Sequence, residues 1–241
     1  MKKKLDQYNG LLTPQQVATG MNLAEENARR LQRDAALLLQ HGRRASATAL
    51  AILSIEESGK LHILRRLAAA PNPTFAVQAW RLYRSHTAKN VQWSILNFVP
   101  PDGRAKLSDF RPMMQSDSEL PHALDQIKQL ALYTDCLGEA NWTSPLQLDE
   151  ALAEPLVVLA DILSKHEREY TAREVELWIE HVGDDSIACE DLAVGGAALA
   201  KWYAAMQAEG LAPAGPNLME QFTTIGLQLT PRDDQHRSAA V

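Results

Sequence analysis

The chain has 241 residues, 46% hydrophobic and 22% charged, enough for one large or two small domains with a real core. No window approaches the ~20 uninterrupted apolar residues of a membrane span, and the basic start, residues 1–10 (MKKKLDQYNG), lacks the apolar stretch of a secretory signal. Cys136 and Cys189 are too few for a disulfide framework and do not form a CxxC pair, so both read as reduced thiols of a cytoplasmic protein.

The net charge of −6 is unevenly spread: residues 1–90 carry 14 Lys or Arg against 6 Asp or Glu, and residues 91–241 carry 10 against 24. A chain so polarised either faces a polyanion with its first half or packs its two halves against each other.

In chain order, Thr13-Pro14-Gln15-Gln16 is a helix start, with a capping threonine, proline at the first helical position and Gln16 completing a capping box. That helix extends to about His41, where Gly42 can close it. Residues 43–70 are apolar almost all round, the pattern of a buried central helix. Pro71 and Pro73 end it and Thr74 caps a third helix over 75–99, which stops at Pro100-Pro101. A Pro-containing stretch to Pro121 has room for a short helix. Further helices are expected over 121–135, 148–181 and 186–209, with Pro155 near a helix start or at a kink and Asp185 or Ser186 as a cap. The tail from Leu211 reads as flexible. The fold class is all-α: a helical bundle over 1–145, acidic helices packed on it over 146–210, and a tail over 211–241. There is no glycine-rich phosphate loop and no metal-ligand spacing, so neither cofactor nor metal is expected.

Two carboxylates stand out in the second helix. At 100° per residue Glu57 falls within a stripe of Leu50, Leu53, Leu61 and Leu64, and Glu56 within one of Ala49, Ile52 and Ile63. A carboxylate on an apolar face is costly unless paired. Lys60 can serve Glu56 as an i,i+4 partner, which leaves Glu57 in need of a cation from elsewhere. The third helix offers Arg81, Arg84, His86 and Lys89. Arg81 lies five positions before His86, about 140° round an ideal helix. The two converge only if the helix is distorted there or if two copies of the chain meet at this segment. Otherwise the cluster is a solvated basic face with one incidental histidine.

The segments AILSIEESGK (51–60), WRLYRSHTAKN (80–90), LYTD (132–135) and NWTSP (141–145), in that order, resemble the AbiV family of bacterial abortive infection proteins, within the wider HEPN superfamily of helical bundles. The resemblance covers about residues 20–150. It implies an HEPN-like bundle, to which the pattern beyond 146 adds C-terminal helices, working as a homodimer, with Arg81-LYRS-His86 matching the superfamily's Arg-x4-6-His motif at the twofold. It further implies a metal-independent endoribonuclease. His86 would transfer the proton, Arg81 or Arg84 would clamp the phosphate, and Glu57 or Glu56 would orient the Arg or His. Arg84 and Lys89 would hold the RNA backbone, and Asn90 would hold a phosphate or base or else close a helix-packing contact. The implied partners are RNA and a phage-encoded activator or neighbouring antitoxin. The other reading is a non-catalytic helical protein that inhibits translation or senses a phage protein; a third makes the polar centre a dimer-fixing scaffold. Tyr133, Asp135 and Trp142 read as a structural loop, and His62, His122, His166 and His181 as surface or packing residues.

Overall fold

The computed structural model describes residues 6–91, 119–165, 169–183 and 192–227. The described chain is all-α apart from one small hairpin. Its helices are α1 (Pro14–Gln40), α2 (Arg44–Ala68), α3 (Pro73–Arg84), α4 (His86–Val91), α5 (Leu120–Leu132), α6 (Ala153–Leu163), α7 (Ala172–His181), α8 (Leu192–Ala208) and α9 (Leu218–Leu227). No described helix is long and apolar enough to cross a membrane.

The capping box of α1 forms as the sequence implies. Gln16 N–H donates to Thr13 Oγ1 at 3.2 Å and Thr13 N–H to Gln16 Oε1 at 2.9 Å. Gly42, at φ 69°, takes the left-handed conformation that lets the chain turn back into α2.

The α2 helix is the centre of the molecule. Residues on every side of it are buried, among them Ala49, Ile52, Ile55, Leu61 and Ile63, each with no exposed surface. Burying an Ile or Leu fully contributes roughly 1.5–3 kcal/mol, so covering α2 on all faces is what the sequence drives. One apolar cluster joins Val17, Met21, Leu61, Leu64 and Trp80, and a second joins Ala35, Ile52, Ile55, Leu124 and Leu163. Both use α2, and α1, α3, α4, α5 and α6 all pack on it.

Several expected boundaries change. The third helix begins at Pro73, capped by Asn72 rather than Thr74, with the Asn72 side chain accepting from Phe75 N–H at 3.0 Å. It does not run unbroken past Arg84. Ser85 adopts extended dihedrals (φ −84°, ψ 128°), which end α3, and its hydroxyl caps α4 by accepting from Ala88 N–H at 3.2 Å. The expectations for 92–118 lie outside the described residues. Where a helix to 135 was expected, α5 ends at Leu132, and a two-stranded antiparallel hairpin follows: β1 (Asp135–Leu137) and β2 (Asn141–Thr143), pairing Cys136 with Trp142.

The expected helix over 148–181 is two. Pro155 sits near the start of α6, as its missing N–H requires. Before α7 the backbone of Tyr170 leaves the helix to exchange two hydrogen bonds with the Asn22 side chain of α1, at 2.9 and 2.8 Å. Arg65 of α2 then ties the later helices down: it lies over the rings of Tyr170, Trp178 and Trp202 and pairs with Glu174 at 3.8 Å. The caps expected at Asp185 and Ser186, and Cys189, lie outside the described residues. Beyond Leu211, where the sequence suggests a flexible tail, Leu218–Leu227 form α9 against α8, with Gly196 making room for Thr223.

Candidate active site

The polar centre forms where α4 and α5 meet the middle of α2, and its focus is Glu56. That carboxylate is only 2% exposed. Its Oε2 lies 2.7 Å from His86 Nδ1 and 3.1 Å from Lys89 Nζ, both on α4. Its Oε1 accepts from Lys128 Nζ of α5 at 2.6 Å, and the same ammonium donates to Asp125 at 2.8 Å. A buried carboxylate left alone would cost several kcal/mol or take up a proton; here both of its oxygens are served by cationic or N–H donors.

Three local features bring these groups together. The break at Ser85 turns the chain so that His86 opens α4 and faces α2. Gly59 lets α4 press onto α2: a Cβ there would lie 2.0 Å from the carbonyl oxygen of Lys89. Asn90, itself buried, donates to Pro121 O at 3.5 Å and joins α4 to the start of α5.

Burial is the largest influence on the Glu56 pKa and raises it. Hydrogen bonds from Lys128 and His86, with the charges of Lys89 and Lys128, outweigh burial and hold the carboxyl below its ordinary value. For Lys128 burial again acts most strongly, lowering the pKa, and the bonds to Asp125 and Glu56 reverse it, so the ammonium is held above its usual range. An ionised Glu56 can only accept, so the 2.7 Å contact calls for a proton on His86 Nδ1. The His86 side chain is 56% exposed. With Nδ1 engaged, Nε2 is the nitrogen offered outward, as an acceptor in the neutral ring and a donor in the charged one.

The two helix-2 carboxylates exchange the partners the sequence suggested. Lys60 pairs with Glu57, at 2.5 Å, and not with Glu56; its ammonium also lies 5.1 Å from the Tyr83 ring centroid. Glu57 is half-buried and satisfied within its own helix, while Glu56 is the residue that meets cations from elsewhere. Lys89 is turned inward, 6% exposed, and serves Glu56 where an RNA contact was expected. Asn90 is likewise buried and makes a helix-packing contact.

Arg84 lies over the Trp80 ring, 5.1 Å from its centroid, and donates to Asn9 Oδ1 at 2.7 Å and to Tyr8 O. It straps the N-terminal segment onto α3, helped by Trp80 Nε1–H donating to Gly10 O at 2.9 Å. Arg81 is exposed on α3, and among the described residues no hydrogen bond or ion pair joins it to His86 or Glu56. The break at Ser85 therefore does not bring Arg81 and His86 together within one chain.

Lys128 and Asp125 are functional candidates that sequence reasoning missed. The signal was there: Lys128 lies four residues after Leu124 and three before Ala131, on the buried stripe of α5, where a cation needs a buried partner as much as a carboxylate does. Glu56, His86 and Asp125 offer ligand-type atoms within 4.8 Å of one another, the spread of a metal site. The Lys128 ammonium, bonded to both carboxylates, already supplies a positive charge at that point. Tyr133 and Trp142 are exposed about the hairpin, Trp142 at 73%.

A family model for AbiV, designated HEPN_AbiV, matches residues 16–165, from the first turns of α1 to just past α6, and that span holds every residue of the polar centre. No curated protein and no solved structure matches the chain.

Proposed function

From its membership of the AbiV family, a group of HEPN-type abortive-infection proteins, we propose that this chain is a metal-independent endoribonuclease of phage defence that shuts down translation. The observation that carries the reading is the Glu56–His86 pair: a half-exposed imidazole whose Nδ1 is fixed by a buried, ionised carboxylate. That arrangement presents Nε2 as a proton-transfer group of defined tautomer.

In the proposed reaction Nε2 of neutral His86 takes the proton of a ribose 2′-OH. The 2′-oxygen attacks the adjacent phosphorus and the bond to the 5′-oxygen breaks, leaving a 2′,3′-cyclic phosphate. The departing 5′-oxygen takes a proton from a charged imidazole, and a homodimer would offer one imidazole for each task. Arg81, exposed and without an intramolecular partner among the described residues, is the arginine we assign to the phosphate, where a guanidinium stabilises the charge that builds up in the transition state. Arg84, bound to the N-terminal segment, is a poorer choice, and Glu56 rather than Glu57 is the orienting carboxylate. The protein would act in the cytoplasm, under a phage-encoded activator or a neighbouring antitoxin.

One observation favours a second reading. Arg84 and Lys89, two of the groups expected to hold RNA, are engaged within the chain, as they would be in a helical protein that binds a partner without cleaving anything. The test is incubation of the purified protein with total and transfer RNA in EDTA. Products ending in 2′,3′-cyclic phosphate are expected. Intact RNA after incubation with folded, dimeric protein would overturn the ribonuclease reading in favour of the second.

A further inference from the structure

The Glu56 carboxylate is held from two sides. Lys89 and His86 both address Oε2 from α4, while Lys128 addresses Oε1 from α5. The α4 contacts alone would hold only Oε2 and leave a buried Oε1 lacking a donor. Lys128 is the group that holds Oε1, and it is itself fixed, at 4% side-chain exposure, by Asp125 one turn earlier on α5. The three groups Glu56, His86 and Asp125 converge as they would around a metal ion, yet the cation at the convergence is a side chain of this protein.

We propose that Lys128 is a positioning residue of the His86 centre: its ammonium, bridging Glu56 and Asp125, locks the Glu56 carboxylate in the orientation that keeps the proton on His86 Nδ1 and leaves Nε2 open to substrate. As a statement about cleavage this rests on the ribonuclease reading; as a statement about the histidine tautomer it does not. An unrestrained neutral histidine favours the proton on Nε2, which would block that nitrogen as a base. Holding the other tautomer therefore needs a fixed acceptor at Nδ1, and an acceptor is fixed only when both of its oxygens are. The ammonium bonds Glu56 and Asp125 and not His86, so its effect on the ring passes through Glu56, the carboxylate that His86 shares.

The experiment is side-chain 15N NMR of His86 at neutral pH in the full-length protein, comparing wild type with Lys128→Met, alongside RNA cleavage by the same samples. The wild-type ring should be in the Nδ1–H form. In Lys128→Met a substantial Nε2–H population should appear, and cleavage should fall at least tenfold with little change in KM. Should Lys128→Met fail to fold, Asp125→Ala loosens the same ammonium from a position 30% exposed and should shift the tautomer in the same direction by a smaller amount. A lysine that only stabilises the bundle would lower the melting temperature and leave the tautomer untouched; an unchanged Nδ1–H ring in the folded variants overturns the proposal. If the wild type cleaves no RNA, the ribonuclease reading fails while the NMR comparison still decides the role of Lys128.

Discussion

His86 Nδ1 lies 2.7 Å from Glu56 Oε2, so a carboxylate buried in the central helix sets the orientation of the half-exposed ring that opens α4. The energetic weight of that contact falls on the glutamate. Removing it would leave Lys89 and Lys128 buried without their shared counter-charge.

Glu56→Ala should therefore destabilise the fold by roughly 3–5 kcal/mol, the cost of breaking a buried ion pair by removing one partner. Glu57→Ala, which loosens only the half-buried Lys60, should cost less than Glu56→Ala. Urea denaturation of the two variants measures both. Equal losses would mean that the two carboxylates are not distinguished as the contacts indicate.

Gly59→Ala tests the close approach of α4 to α2. The added Cβ would meet the Lys89 carbonyl at 2.0 Å, a backbone atom that moves only if α4 moves. A loss of about 1–3 kcal/mol, the usual range for overpacking, is expected, with displacement of His86 and a fall in any activity. The neighbouring Ser58→Ala is the control, because the Ser58 hydroxyl is buried without a hydrogen-bond partner among the described residues. Its loss should be neutral or slightly stabilising.

The sequence made the framework legible and the site only in part. Capping at Thr13, the mostly apolar surface of 43–70 and the closing glycine at 42 are local signals, and the fold realises them. The choice between Glu56 and Glu57 was misread, since α2 is covered on every face and the i,i+4 spacing assigned Lys60 to Glu56, whereas it pairs with Glu57. The deciding cation, Lys128, is 72 residues away in the chain. The break at Ser85 was hidden for a similar reason: a serine is tolerated within a helix, and only its capping bond to Ala88 and the pull of Glu56 on His86 show that it starts a new one. The split before α7 likewise depends on Asn22, 148 residues before Tyr170.

His62 gives the pH dependence its sign. Burial above all, then the charges of Arg65 and Arg66, lower its pKa from 6.5 to about 3. The unfolded chain then binds a proton at His62 between those values and the folded chain does not, so stability falls as pH drops from about 6.5 towards 3. The depressed Glu56 adds to this only below its ordinary value of 4.5, again as pH falls. His62→Gln should flatten the upper part of the acid-denaturation curve, between pH 6.5 and 4.5. A curve that keeps its slope there would show that His62 is solvated and titrates normally.

RNA binding, where it depends on Arg81 and the basic first half, should weaken with added salt, because each phosphate contact releases condensed counterions. Arg81→Ala should lower both the affinity and the salt slope, and Arg84→Ala should lower neither by a comparable amount. Filter binding across a salt series reads this out, and affinity indifferent to salt would count against phosphate contacts.

In the proposed function His86, oriented by Glu56, moves the proton in RNA cleavage. The most direct test of this is cleavage of total and transfer RNA in EDTA by wild type and His86→Ala, both confirmed folded and of the same oligomeric state. Cleavage by the wild type that disappears in the variant is the expected result. Cleavage that persists in His86→Ala would contradict that role for His86.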